Sequence, residues 1–220
     1  MRLSVFYHIL RYIRIPKSYT FLYRMFDAKD DFKILDVGCG KNGAKKVKTF
    51  FPKCQYYAID KDPGVNLNDV CGKYFHMDLE KLDFNNIPGN FFDVIVMNHV
   101  IEHLRNGDQV IEKLLSKLGK RGVIYIEFPS FWSTKLPSKK GTLNFFDDST
   151  HCRLYSLMEI FNLLMRNGCV ILKGGTRRNL VNNLLIPYNA IRSLRSRGYI
   201  AGSVFWDLLG FCQYVLAMKK

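Results

Sequence analysis

The sequence predicts an α/β fold, a Rossmann-like seven-stranded and mostly parallel sheet with helices on both faces. Short apolar runs alternate with helical periodicity along the chain. Those runs are continuously apolar, as strands covered on both faces must be. The first of them opens into a glycine-rich turn that leads into a helix. A chain of 220 residues, 48% hydrophobic and 24% charged, has the length and composition of one globular domain with a sizeable core. Disorder, collagen-like repeats and a disulfide-stapled miniprotein are excluded.

In order along the chain, residues 2–15 place Val5, Phe6, Ile9, Leu10 and Ile13 on one side of a helix, with His8, Arg11 and Arg14 opposite. This predicts an amphipathic helix that covers the sheet in preference to lying on an anionic membrane. Arg11 and Arg14 interrupt the apolar run and no small-residue cleavage site follows, so the segment does not read as a secretory signal. Strands are expected at KILDV (33–37), YYAID (56–60), KYFHM (73–77), FFDVIVMN (91–98), GVIYIEF (122–128), CVILK (169–173) and FCQYVLAM (211–218). Asp108 is expected to cap a helix presenting Val110, Ile111, Leu114, Leu115 and Leu118, ended by Gly119. Ser156 and Glu159 form an S-x-x-E capping box for a second helix, ended by Gly168. Residues 129–150 and 177–210 are long connections of the kind that form functional lids. The expected organisation is one domain over 1–220: cap helices in 1–30, a cofactor-binding half in 31–128, and a substrate-side half in 129–220.

No apolar run reaches the roughly 18–20 residues that span a bilayer. Cys39, Cys54, Cys71, Cys152, Cys169 and Cys212 show no C-x-x-C spacing, which points to reduced thiols in a cytoplasmic protein. With 33 Lys and Arg against 19 Asp and Glu the chain carries +14, a charge that favours anionic partners. Residues 1–26 hold +5, residues 173–220 hold +7, and the body between them +2. The basic and apolar character of 183–211, with Arg192, Arg195 and Arg197, raises an anionic membrane or a lipid-linked acceptor as partner. RNA is the competing anion, favoured less because no appended RNA-binding module is recognisable.

The strongest motif is KILDVGCGKNG (33–43), in which Gly38, Gly40 and Gly43 fit G-x-G-x-x-G and Asp60 follows about 20 residues on. Alone it permits a nicotinamide dinucleotide. Asp36 argues otherwise, because a carboxylate two residues before the first glycine would repel a pyrophosphate at the helix start but attract an ammonium or sulfonium. Asp60 is placed to accept from ribose hydroxyls. Asp78 suits an adenine amino group, with Met77 or Leu79 packing on the ring.

Together KILDVGCG, YYAID, HMDL, FFDVIVMNHVIEHL and THCRLYSLMEIFNLLMRNG resemble the class I S-adenosylmethionine-dependent methyltransferases, in that family's order and spacing. The resemblance runs from about Lys33 to Lys173 and implies a seven-stranded sheet with an antiparallel last strand. It places S-adenosylmethionine on Asp36, Gly38, Gly40, Asp60, Asp78 and the chain around Asn98, with Cys39, Lys61, Leu79 and His99 beside them. His99, Glu102 and His103 spell H-x-x-E-H, a zinc-site spacing that is coincidental in this position. Two branches of the family hold a divalent ion through E-x-x-E-H here. This chain has His99 where they have the first Glu, so no metal is expected and Glu102 and His103 are read as shaping the pocket floor. On the substrate side, His151 is the candidate base, Tyr155 the group that orients the acceptor, and Arg153 an anion contact, with His103, Phe131 and Trp132 as further candidates. The expected activity is methyl transfer to an O or N nucleophile of a small or lipid-linked, anionic acceptor. RNA methylation, a nicotinamide-dependent oxidoreductase and a silent cofactor-binding subunit are the alternatives.

Overall fold

The computed structural model describes residues 16–26, 31–63 and 72–220; the helix expected over 2–15 and Cys71 lie outside them. Seven strands, β1 (Lys33–Val37), β2 (Gln55–Asp60), β3 (Lys73–His76), β4 (Phe92–Asn98), β5 (Leu118–Pro129), β6 (Cys169–Thr176) and β7 (Cys212–Lys219), form one sheet in the order β3-β2-β1-β4-β5-β7-β6. Neighbours pair in parallel from β3 to β5, and β7 runs antiparallel to both β5 and β6. The expected architecture is the observed one.

The alternation of side chains along each strand builds two cores. Leu35 and Val37 of β1, with Ile95 and Met97 of β4, pack against α3 (Gly107–Lys117) and α4 (Leu157–Arg166) through Val110, Ile111, Leu114, Ile160 and Leu164. Ile34, Val94 and Val96 on the other face meet α1 (Lys17–Met25) and α2 (Gly43–Phe50) through Phe21, Leu22, Ala44 and Val47. Each such fully buried aliphatic side chain is worth about 1.5–3 kcal/mol relative to exposure. Both faces are therefore covered, which is why the strands read as unbroken apolar runs.

The capping box is present as expected. Glu159 N–H donates to Ser156 Oγ at 3.2 Å and Ser156 N–H to Glu159 Oε2 at 2.7 Å. The other helix limits differ from the sequence reading. Asn106, not Asp108, occupies the cap position of α3, and Asp108 sits in the first turn, paired with Arg153 at 3.0 Å. At Gly107, the first residue of the helix, a Cβ would come within 2.4 Å of the Tyr155 hydroxyl. The helix ends at Lys117, and Gly119 belongs to β5, which begins at Leu118 opposite Phe92.

The connections 129–150 and 177–210 pack on one another. Gly202 N–H donates to Lys140 O at 3.0 Å and the Trp206 indole to Thr142 O at 2.6 Å, over an apolar cluster of Leu136, Leu143, Phe211 and Cys212. The second connection contains α5 (Leu180–Leu184), α6 (Ile186–Arg197) and α7 (Trp206–Leu209). Strand order reverses between β1 and β4, so a crevice forms beyond their carboxyl ends, where ligands bind in open α/β sheets.

Candidate active site

The turn after β1 lines that crevice. Gly38 and Gly40 have φ of +69° and +55°, and a Cβ on Gly38 would lie 2.3 Å from Val100 Cγ2. A side chain there is excluded twice over, by backbone conformation and by contact. Asp60, at the end of β2, accepts Gly40 N–H at 2.8 Å and Asp62 N–H at 3.1 Å, one on each oxygen. Cys39 Sγ lies 3.9 Å from the same carboxylate. Oδ1 keeps a further lone pair and Oδ2 shares its second only with the weak Cys39 thiol, so the carboxylate that fixes the turn can still accept from a diol.

Beside the turn lies a cavity of about 320 Å³, bounded by Gly38, Asp60, Lys61, Met77, Asp78, Leu79, His99 and His103. Asp78 also caps a short 3₁₀ turn by accepting Glu80 N–H at 3.1 Å. These are the positions expected for an adenosine moiety. Asp36 points to the α1/α2 face, where the Tyr56 hydroxyl donates to it at 2.8 Å. Burial pushes its carboxyl up to about 6, against the pull of the Tyr56 hydrogen bond and the Lys46 charge.

A second cavity, also about 320 Å³, is lined by Lys17, Tyr19, Lys46, Asn98, Glu127 and Arg177, together with Asn182 and Asp207. Asn98, the last residue of β4, and His99 after it border one cavity each. His99 has φ of +54°, a conformation unusual for a residue with a side chain, and its N–H donates to Glu127 O at 2.8 Å. Its ring lies 3.1 Å from both Glu102 Oε1 and Glu127 Oε1. Burial opposes charging of the ring, but Cys212 Sγ at 3.5 Å and the two carboxylates outweigh it and hold the imidazolium well above its ordinary range.

Sequence reasoning missed the partners of this histidine. Glu127 also accepts from Arg177 at 2.6 Å and from the Tyr125 hydroxyl at 2.7 Å. Burial would raise its carboxyl; the His99 hydrogen bond and the Arg177 charge reverse that and bring it down to about 2. Arg177 reaches on to Asp207 at 2.9 Å, which accepts from Asn182 at 2.8 Å. The available signal was Glu127 itself, a lone acid inside the apolar run VIYIEF, since an unpaired charge is not kept in a covered strand.

His103 and His151 come together with ring centres 4.8 Å apart. His151 Nδ1 faces the Phe145 carbonyl at 2.6 Å, so Nδ1 carries the proton and Nε2 holds the lone pair when the ring is neutral. Thr150 donates to Asp148, and its oxygen therefore accepts from His103 Nδ1 at 2.8 Å, which leaves His103 Nε2 free in the same way. Ligand atoms of Glu102, His103 and His151 lie within 4.8 Å of one another, and Glu102 Oε2 is buried with no hydrogen-bond partner. That N/O set could hold a divalent cation, with His151 rather than His99 as its third member.

The remaining candidates lie elsewhere. Tyr155 is 1% exposed in the core beneath α3, not at the crevice. Arg153 stacks over its ring at 4.3 Å and pairs with Asp108. Phe131 and Trp132 stand on the surface, 62% and 56% exposed. Position in sequence near a capped helix fixed none of these orientations.

Comparison with known proteins agrees with the fold. Residues 11–173 match a family model described as a methyltransferase domain, and the chain belongs to that family. A search of curated proteins finds no match. Among solved structures, a SAM-dependent methyltransferase from Archaeoglobus fulgidus aligns with TM-score 0.57 and 16% identity over 97% of this chain and 99% of its own. An S-adenosylmethionine-dependent methyltransferase from Mesorhizobium loti gives 0.63 and 14%, over 94% and 100%. A Haemonchus contortus phosphoethanolamine N-methyltransferase, in complex with phosphomonomethylethanolamine and S-adenosylhomocysteine, gives 0.65 and 17%, over 90% of this chain and 51% of its own. The fold is that of the class I methyltransferases and the cofactor is S-adenosylmethionine, which leaves the nicotinamide alternative without support.

Proposed function

We propose that the chain transfers the methyl group of S-adenosylmethionine to an oxygen or nitrogen nucleophile of an anionic acceptor, small or lipid-linked. The observation that carries this is the second cavity. Its two acids, Glu127 and Asp207, are already paired with Arg177, whereas Lys17 and Lys46 have no carboxylate within salt-bridge distance among the described residues. Burial and the neighbouring Lys173 push the Lys17 ammonium below its ordinary range, against the pull of Asp207. Cations crowded around a polar cavity next to the cofactor site favour a phosphate or carboxylate on the acceptor. The Haemonchus protein, whose acceptor carries a phosphate, offers a parallel within the fold.

Cofactor chemistry supplies the electrophilic methyl group. The chain's part is to hold the acceptor in line with it and exclude water. Asp36 and the glycine turn set one end of that line and Asn98 lines the acceptor cavity, whereas His151 borders neither cavity, so its Nε2 would reach the nucleophile's proton only by way of His103 beside it. With labelled S-adenosylmethionine and cell extract as acceptor source, the Lys17→Ala variant is expected to need severalfold more extract for half-maximal transfer while binding cofactor normally. An unchanged requirement would overturn the anionic reading.

A further inference from the structure

Helices α5 and α6 are built with their polarity reversed. In α6 the inward side is polar: Ser193 is buried, donating to Tyr199 O at 2.9 Å and accepting Ala201 N–H at 3.0 Å. With Asn189, Ser196 and Arg197 it walls a polar cavity of about 360 Å³ that shares Arg177, Asn182 and Asp207 with the acceptor cavity. The outward side is apolar. Leu180 and Leu184 are each 77% exposed, and Tyr188, Ile191 and Leu194 continue the row at 52–55%. Steps of three keep Tyr188, Ile191 and Leu194 on one side of α6, as a step of four does Leu180 and Leu184 on α5.

The charge around this row has one sign. Arg195, four residues on from Ile191, flanks this row, while Arg192 and Arg197 line the polar cavity; none of the three has a carboxylate within salt-bridge distance among the described residues, and the only acid in 177–210, Asp207, is buried against Arg177. A face that is apolar along its ridge and cationic along its flank matches an anionic lipid surface, where leucines enter the acyl boundary and arginines meet headgroups. No helix among the described residues is long and apolar enough to cross a membrane, so the contact is peripheral.

We infer that the α5–α6 face docks the protein on an anionic bilayer, with the entrance to the acceptor cavity behind it at the lipid interface. The inference concerns binding and stands whether or not the anionic-acceptor reading does. Its test is co-sedimentation of the full chain with phosphatidylcholine vesicles, with and without phosphatidylglycerol. Wild type is expected to pellet only with the anionic vesicles. Leu184→Glu combined with Ile191→Glu should lower that binding at least tenfold, and Arg195→Ala roughly fivefold, the latter effect shrinking in high salt. Because all three positions are exposed and line neither the acceptor cavity nor the polar cavity beside it, the variants should keep the wild-type melting temperature and cofactor affinity, which separates lost docking from lost folding. Absence of wild-type binding to anionic vesicles, or unchanged binding by the double glutamate variant, would overturn the inference. So would a dimer seen by light scattering that the same glutamates dissolve, since the row would then be covered by a second copy.

Discussion

Asp36 is buried against the Tyr56 hydroxyl, and its charge state is what a cationic cofactor bound nearby would act on. Burial raises its carboxyl to about 6, above the ordinary value near 3.9. The folded chain therefore holds a proton that the unfolded chain releases, so Asp36's share of stability is full below about pH 4 and is lost as pH rises through 6. A cationic ligand reverses the balance by favouring the ionised form. Calorimetric titration should find S-adenosylmethionine bound about tenfold more weakly at pH 5 than at pH 8, with Asp36→Asn weak at both. Glu127 has the opposite sign: held down at about 2, its carboxylate stabilises the fold above about pH 4.5 and loses that effect as pH falls towards 2. Glu127→Gln leaves His99 and Arg177 facing each other without their shared carboxylate. Loss of a buried partner costs about 3–5 kcal/mol, and a thermal melt should show a fall of roughly 2–4 °C for each of these.

At the scale of elements, the parts legible in the sequence are those whose cause is local. Gly38, Gly40 and Asp60 could be read because a left-handed turn demands glycine and a strand-end acid must satisfy the turn's amides. The Ser156–Glu159 box was legible for the same reason, both partners lying within one turn. Ser156→Ala should cost about 1 kcal/mol in a denaturant melt and leave cofactor binding intact, because α4 packs on the sheet away from the crevice. The Glu127–Arg177–Asp207 chain was not legible, since its members lie 50 and 30 residues apart and meet only because β7 inserts between β5 and β6. Tyr155 was misassigned because nearness to a helix start does not say which side of it a ring enters. In α6 the sequence shows two faces of different polarity, but tertiary packing alone decides that the serine face turns inward.

Across the whole molecule, the charge of +14 divides as the chain does, into a near-neutral sheet and two basic ends. The structure gives the C-terminal part of that excess two places. Arg177 is spent on buried acids beside the acceptor cavity, and Arg192, Arg195 and Arg197 lie on the helix that walls its outer part. Lys17, from the other basic end, meets Arg177 across the same cavity. The molecule thus has a glycine-cut crevice with Asp60 and Asp78 at its edge and, next to it, a cavity lined by Lys17, Lys46 and Arg177, which on the proposed reading takes a negative acceptor. The most direct measurement of that division follows the methyl label from S-adenosylmethionine into cell extract separated into lipid, RNA, protein and small-metabolite fractions. The account predicts label in the lipid or small-metabolite fraction, on material retained by an anion exchanger. Label confined to RNA or protein, or no transfer by a chain that binds the cofactor, would contradict it.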